Sequence, residues 1–381
     1  MKILPLIIAV IIFFCPLFHT MADEISFDLR SYVRDTSFFK LRSDEETDKP
    51  PISLFSTHPE YYPYTLNNGY LYDADMQSQE NYGSFCPGDI KFRFGRQKYF
   101  TGTGYGWNPT DLFNPKNIFD PIYETEAIDS AFISYSFGGE NEISAFYSFG
   151  DKRDDEAYSE TGDYQLRMKT HTDVLDLAIH YTEAKRNQTN YEGLITGDVS
   201  SEEATIPVRW QLLAAGVSSR IGKVGVHAEG GHAWLSLDKE TEQVDANIFS
   251  KDYSSFLVGV DYTFENELYL VLEYYQEGRG KTSPGEYSSN DRFAYLSNER
   301  GAIGRNNVFL GAKYPIADMT SVELYNIINA NDPSVIVNPW LIWSTGIDFT
   351  VKFSARFPVG KEESSVGQMK PSAFAHIQLN F

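Results

Sequence analysis

Cysteine is scarce in this sequence, whose 381 residues include only Cys15 and Cys86. A disulfide framework is therefore excluded, and no Cys-x-x-Cys-His segment for c-type haem attachment occurs. Positive charge is also in deficit, with 32 Lys and Arg against 53 Asp and Glu and a formal net charge of −21. This balance argues against nucleic acid as a partner, because such binding requires a broadly basic surface.

Long apolar runs are absent after the first 22 residues, so no later segment is predicted to cross a membrane as a helix. The single apolar run, residues 3–18, follows Lys2 and ends shortly before Ala22. It predicts a secretory signal peptide over residues 1–22, with an N-terminal membrane anchor as the alternative. Residues 23–381 are predicted to form a single domain.

Alternation of apolar and polar residues recurs along the mature chain, which is rich in Tyr and Phe. A period of two predicts strands with one apolar and one polar face. The clearest examples are residues 143–149, 175–181, 256–264 and 347–357.

The segments that join these strands alternate between short turns and long polar loops, as is typical of outer-membrane barrels. We therefore predict an all-β fold, a transmembrane antiparallel up-and-down β-barrel of about 16 strands, with 14 or 18 left open. Short turns are expected in the periplasm and long loops outside the cell. A soluble β-sandwich is one alternative, but it does not explain the alternation of connection lengths. A secreted β-helix is another, but the sequence has no fixed-period repeat.

The last strand alternates from Ala373 and the sequence stops on Phe381. This ending resembles the C-terminal signal that the barrel-assembly machinery of Gram-negative bacteria recognises. The predicted location is therefore the bacterial outer membrane, with membrane lipid, lipopolysaccharide and the assembly machinery as partners. The oligomeric state is not predicted.

Residues 95–115 interrupt the alternation with GRQKYFTGTGYGWNPTDLFNP, a segment rich in Gly and Pro. Its apolar residues, Trp107 among them, suggest a loop over residues 101–127 that folds into the barrel, with Asn108 and Asp111 shaping a turn. Arg96 falls in register with Phe94, which should face lipid. We expect a bulge at Gly95 to turn Arg96 inward towards Asp111, although a position near the rim would also satisfy its charge.

The polar faces of the strands are expected to line the lumen and to decide which solutes pass. Acidic side chains expected there are Asp176, Asp261, Glu273, Glu323 and Asp348, and Lys91 is expected among the basic ones. The predicted lining and constriction residues are Arg93, Arg96, Trp107, Asn108, Asp111, Arg209, Lys313, Lys352 and Arg356.

The pairing of Gly95-Arg96-Gln97 with a downstream Trp107-Asn108-Pro109-Thr110-Asp111 resembles a family of porin-like Gram-negative outer-membrane β-barrels and, more distantly, alginate-export-type barrels. The motif covers residues 95–115 only. The resemblance implies a channel and supplies no solute.

The predicted function is an outer-membrane channel for passive diffusion of small hydrophilic solutes, narrowed by residues 101–127. The alternatives are a barrel sheath around a partner protein, such as an electron-transfer conduit, and an exporter of polysaccharide. No enzyme is predicted, because the mature His residues lie near no nucleophile motif. No metal is predicted, because His227 and His232 are five residues apart and so fall on opposite faces of an ideal strand. No cofactor is predicted either, since residues 102–106 lack the lysine and helix of a phosphate-binding loop.

Overall fold

The computed structural model describes residues 25–41, 52–56, 63–66, 69–72, 77–116, 127–149, 162–197, 204–237, 252–296, 299–344, 349–369 and 371–380. The predictions for the signal peptide, for Asp348, for residues 117–126 and for Phe381 lie outside these ranges.

Strands make up most of the described chain. The first nine are β1 Ile25–Leu41, β2 Ile52–Ser56, β3 Pro63–Leu66, β4 Gly69–Tyr72, β5 Gln77–Pro87, β6 Ile90–Lys98, β7 Ala127–Phe137, β8 Asn141–Ser148 and β9 Tyr164–His171. The others are β10 Leu175–Thr189, β11 Thr205–Ile221, β12 Val224–Leu237, β13 Tyr253–Thr263, β14 Tyr269–Gln276, β15 Asn306–Ala317, β16 Thr320–Asn329, β17 Ser334–Ser344, β18 Phe349–Val359 and β19 Ser372–Asn380.

The sheet closes on itself as an antiparallel barrel. From β5 to β19 each strand pairs antiparallel with the next. The first strand, β1, closes the ring because it pairs antiparallel with both β5 and β19. Within the described residues this ring runs through 16 strands, while β2 to β4 pair among themselves and with β1. The predicted fold class is confirmed.

The two faces of the wall differ in chemistry, as the alternation requires. One face carries apolar side chains that are exposed on the isolated chain, among them Phe94, Ile133, Leu166, Leu213, Val258, Leu272, Leu324, Leu341 and Phe353. The opposite, inner face carries most of the buried polar side chains. An exposed apolar belt around a closed barrel is stable when lipid covers it, so this face is the membrane face.

The connections at one end of the barrel are tight turns. Gly88, Gly138 and Gly222 adopt positive φ angles of 61°, 53° and 63° at three of them, a conformation that favours glycine. The other end carries the long connections, with helices α1 (Tyr191–Thr196) and α2 (Ser289–Leu296) and a 3₁₀ turn over Pro284–Glu286. Among the described residues, no helix has both the length and the apolar character needed to span a membrane.

The long connections are tied to one another. The ring of Tyr191 in α1 stacks on that of Phe293 in α2, with 5.6 Å between their centroids. Arg292 of α2 donates to the carbonyl oxygens of Glu363 and Ser364, at 3.0 and 2.9 Å. These contacts join three connections that are far apart in the sequence.

Candidate functional site

Residues 101–116 leave the wall after β6 and pack against inner-face side chains; we call this segment the glycine-rich loop. Its turn is organised by Asp111, whose carboxylate accepts the backbone N–H groups of Thr101, Phe113 and Asn114 at 2.7, 2.9 and 2.9 Å. Only 3% of Asp111 is exposed, and burial raises the pKa of this carboxyl from 3.8 to about 6.

Two asparagines join the ends of the turn. Asn108 donates through Nδ2 to the carbonyl of Asn114 at 2.8 Å and accepts the N–H of Lys116 at 2.7 Å. Asn114 in turn donates to the carbonyl of Tyr99, at 2.7 Å. These bonds give partners to backbone groups of a buried segment that has no strand or helix to supply them.

Two carboxylates of the wall hold the backbone of the loop. Glu229 on β12 accepts the N–H of Thr103, and Glu273 on β14 accepts those of Tyr105 and Gly106. Both carboxylates are buried, and Glu273 also contacts Nε2 of His227 at 2.8 Å. Charge-assisted hydrogen bonds to backbone N–H groups are stronger than neutral ones, so these contacts fix the position of the loop along the barrel axis.

Lys116 brings a positive charge to the same place. Its Nζ donates to the carbonyls of Gly104 and Tyr105, and its charge is attracted by Glu273 and Glu229. Burial lowers the pKa of Lys116, because the charged ammonium loses solvation. The ammonium therefore offsets part of the negative charge that the two wall carboxylates bring under the loop.

Trp107 anchors the tip of the loop against β14 and β15. Its ring stacks on Tyr275 with 4.9 Å between centroids, meets Phe309 edge-on at 6.4 Å, and is only 2% exposed. Its Nε1 donates to the carbonyl of Gly301 at 2.9 Å. Glycine is required beside it, because a Cβ on Gly106 would lie 2.9 Å from the ring of Phe309.

The base of the loop is held on the other side of the barrel. Tyr99 stacks on Phe146 of β8 at 4.0 Å, and Phe113 packs edge-on against the same ring at 4.9 Å. On β10, Arg186 donates to the carbonyl of Leu112, and His180 contacts that of Thr110 at 2.9 Å. The loop thus contacts the inner face from β8 to β15.

The inward position predicted for Arg96 is wrong, whereas the alternative near the rim fits its place close to the end of β6. The β6 register continues without a shift on β5 and on β7, so there is no bulge at Gly95. Arg96 stays on the face of Phe94 and pairs with Asp129, with 3.4 Å between Nε and Oδ1. Gly95 is needed for another reason, since it has a φ of 124° and a Cβ there would lie 2.4 Å from the carbonyl oxygen of Asn81.

The prediction that Arg209 lines the lumen is also wrong. Its neighbours Val208 and Trp210 are buried on the inner face, so Arg209 lies on the outer face, where it pairs with Glu183 at 2.5 Å. The physical reason is that Leu112 of the loop packs against Val208 and Trp210. The inner face of β11 is therefore apolar at this level, which reverses the rule that polar residues point inward.

The other basic residues predicted to line the lumen lie on the inner face but do not meet in one ring. Arg93 on β6 lies over the ring of Phe132 at 4.4 Å. Lys313 on β15 pairs with Glu323 at 2.9 Å, and more than half of its side chain is exposed. Lys352 and Arg356 share the face of buried Ser354 on β18.

Sequence reasoning missed Glu229 and Lys116 as contacts of the loop. The two glycines that follow Glu229 are the only local signal, since they leave room beside the strand. Within the described ranges no group of three His, Cys, Asp or Glu side chains is placed to hold a metal ion.

No family model and no curated protein matches this sequence. Solved structures do match its fold. OccAB2 and OccAB1 of Acinetobacter baumannii each give a TM-score of 0.50, with 9% and 8% identity, over 95% of this chain and 98% and 97% of theirs. A BenF-like porin from Pseudomonas fluorescens Pf-5 gives a TM-score of 0.49, with 8% identity, over 95% of this chain and all of its own. On the two matches at a TM-score of 0.50, the chain has the fold of the bacterial outer-membrane β-barrels, and its apolar outer belt is consistent with a location in the outer membrane.

Proposed function

We propose that this protein is an outer-membrane channel for passive diffusion of small hydrophilic solutes, narrowed by residues 101–127. The observation that carries the proposal is the anchoring of the glycine-rich loop. Its base is held at β8 and β10, while its tip at Trp107 is held by Tyr275 and Gly301 beyond the β12 strand. A segment fixed in this way occupies part of the cross-section through which a solute would pass.

The residues proposed to act in this constriction fall into two groups. Trp107, Asn108 and Asp111 set the shape and position of the loop, whereas Arg93, Lys313, Lys352 and Arg356 line the inner wall and meet the solute. Arg96 and Arg209 are not included, because both lie on the membrane face.

The alternative functions receive less support. A sheath for a threaded partner protein needs an unobstructed lumen, which a loop anchored at Glu229, Glu273 and Trp107 does not leave. A polysaccharide exporter needs a dense basic lining, but Lys313 is neutralised by Glu323. We propose no enzymatic activity. Contacts with lipopolysaccharide, and with the assembly machinery through Phe381, remain predictions.

Conductance tests the proposal directly. The mature chain, refolded in detergent and inserted into planar bilayers in KCl, is expected to give discrete steps of constant size. A protein that inserts but carries no current would contradict the channel. A large current that is reduced only when a second protein is added would instead favour the sheath.

A further inference from the structure

A cavity of about 460 Å³ lies beneath the glycine-rich loop, at the short-turn end of the barrel. Thr103 and Tyr105 of the loop form part of its lining. The rest comes from the β9–β10 turn and from the adjoining ends of β10, β11, β12 and β13. This cavity is separate from the contacts of Trp107 and Asp111 that hold the loop.

A glycine makes room for a carboxylate in the wall of this cavity. Asp261 of β13 pairs with Gly225 of β12, and a Cβ on Gly225 would lie 2.1 Å from Oδ2 of Asp261. The carboxylate therefore lies flat over the glycine. In the part of the chain that the structure describes, Asp261 has no hydrogen-bond donor and no cationic side chain as a partner.

An aromatic ring lies beside these polar groups. Tyr105 is 48% exposed, and its ring centroid lies 5.6 Å from that of His227 and 6.0 Å from that of Tyr269. Its backbone N–H is bound by Glu273, which holds the residue in place. A fixed and accessible aromatic face attracts cations, and more strongly where water is partly excluded.

The charge of the lining is negative. Asp173, Asp176 and Asp261 supply three carboxylates against one guanidinium, that of Arg220. His171 contacts Asp176 at 2.5 Å and so compensates that carboxylate when protonated. Asp173 lies in the exposed β9–β10 turn, so Asp261 is the carboxylate within the strands that is left for a ligand.

We propose that this cavity binds a small organic cation, an amine or a guanidinium, whose charged group contacts Asp261 and whose carbon chain lies against Tyr105. The proposal rests on the channel function in one respect, since a cavity under the loop lies on the path of the solute. It assigns a class of preferred solute to that path. Neutral sugars and dicarboxylates are expected to bind far more weakly, because they leave Asp261 without a positive partner.

Calorimetric titration of the refolded chain in detergent tests this site, with agmatine as the probe and glucose and succinate as comparators. Agmatine is expected to bind. Asp261→Asn should weaken its binding by about tenfold or more, because the amide can still accept a hydrogen bond but no longer carries the opposite charge. Gly225→Ala should also weaken it, because the new methyl group displaces the carboxylate.

Glu267→Gln is the matched control, since it removes a carboxylate from an exposed turn at the same end and outside the cavity. It should bind agmatine as the parent does. The site is overturned if agmatine fails to bind, if Asp261→Asn binds equally well, or if succinate binds as tightly. KCl conductance is measured on the same preparations. Conductance without agmatine binding would contradict the proposed site but not the channel. Agmatine binding without conductance would contradict the channel but not the site.

Discussion

Trp107 stacks on Tyr275 with an angle of 23° between the rings, although one belongs to the loop after β6 and the other to β14. The hydrogen bond from its Nε1 to Gly301 extends the contact to the connection that precedes β15. Aromatic pairs of this kind stabilise by about 0.5–1.5 kcal/mol beyond the area that they bury. The tip of the loop is therefore held by a specific contact rather than by general packing.

Removal of the indole should loosen the loop. Trp107→Ala loses the stack, the hydrogen bond and a buried ring, a change that typically costs about 3–5 kcal/mol. We expect larger or more variable single-channel conductance in planar bilayers. Trp343→Ala is the control, because Trp343 lies on the membrane face and is 43% exposed. Equal conductance in Trp107→Ala and the parent would show that the tip does not limit the current.

Deletion of residues 102–111 is a stronger form of the same test. It removes the segment that contacts Glu229 and Glu273 while leaving every strand intact, so the barrel should still fold. Conductance is expected to rise, because the proposed obstruction is gone. If the deletion variant folds, inserts and conducts as the parent does, residues 101–127 do not form the constriction.

The loop should be more stable in mild acid. The pKa of Asp111 is about 6 in the folded loop and 3.8 when unperturbed, so the closed loop binds more protons than an open one between these values. Its stability is therefore greatest below pH 4 and falls as pH rises through 6, by roughly 2–3 kcal/mol in total. Amide hydrogen exchange measures this change. The protection of the Thr101, Phe113 and Asn114 amides is followed as a function of pH and corrected for the pH dependence of the intrinsic exchange rates.

Asp111→Asn is the matched variant for that profile. The amide keeps the shape of the side chain and one acceptor oxygen but has no proton to gain in this range. Its protection should therefore change less between pH 4 and 7 than that of the parent. A profile as steep as that of the parent would assign the pH dependence to another group.

Arg93 and Arg96 are three residues apart but lie on opposite faces, so they form a matched pair for ion selectivity. Arg93→Gln removes a positive charge from the inner face and should shift the reversal potential in a KCl gradient towards cations. Arg96→Gln removes one from the membrane face and should leave that potential unchanged. An equal shift in both variants would contradict the assignment of faces.

The sequence predicts the wall of this protein better than its interior. Period-two alternation marks strands such as β8, β13 and β18, because lipid selects one face and water the other. The same rule misplaces Arg209, since at that level the inner face packs against Leu112 instead of water. It misplaces Arg96 because Asp129, on the neighbouring strand, neutralises it on the membrane face without a bulge. Such partners come from the register between strands, which a single strand does not encode.

The anchors of the glycine-rich loop also lie far along the chain. Three contacts show this separation in the sequence. Glu229 follows Thr103 by 126 residues, Glu273 follows Gly106 by 167, and Gly301 follows Trp107 by 194. Gly, Asn and Pro in residues 101–116 indicate an irregular segment, and Trp107 indicates a packed one. Which side chains contact the loop depends on the curvature and the register of the whole sheet.

These separations also set an order of events during biogenesis. The loop leaves the ribosome before β12, β14 and β15 exist, so it has nothing to dock against while it is being made. Its full set of contacts requires the sheet from β12 to β15 to be paired as it is in the closed barrel. Docking of the loop is therefore coupled to assembly of these strands, and a change that blocks their pairing is expected to leave the loop without its anchors.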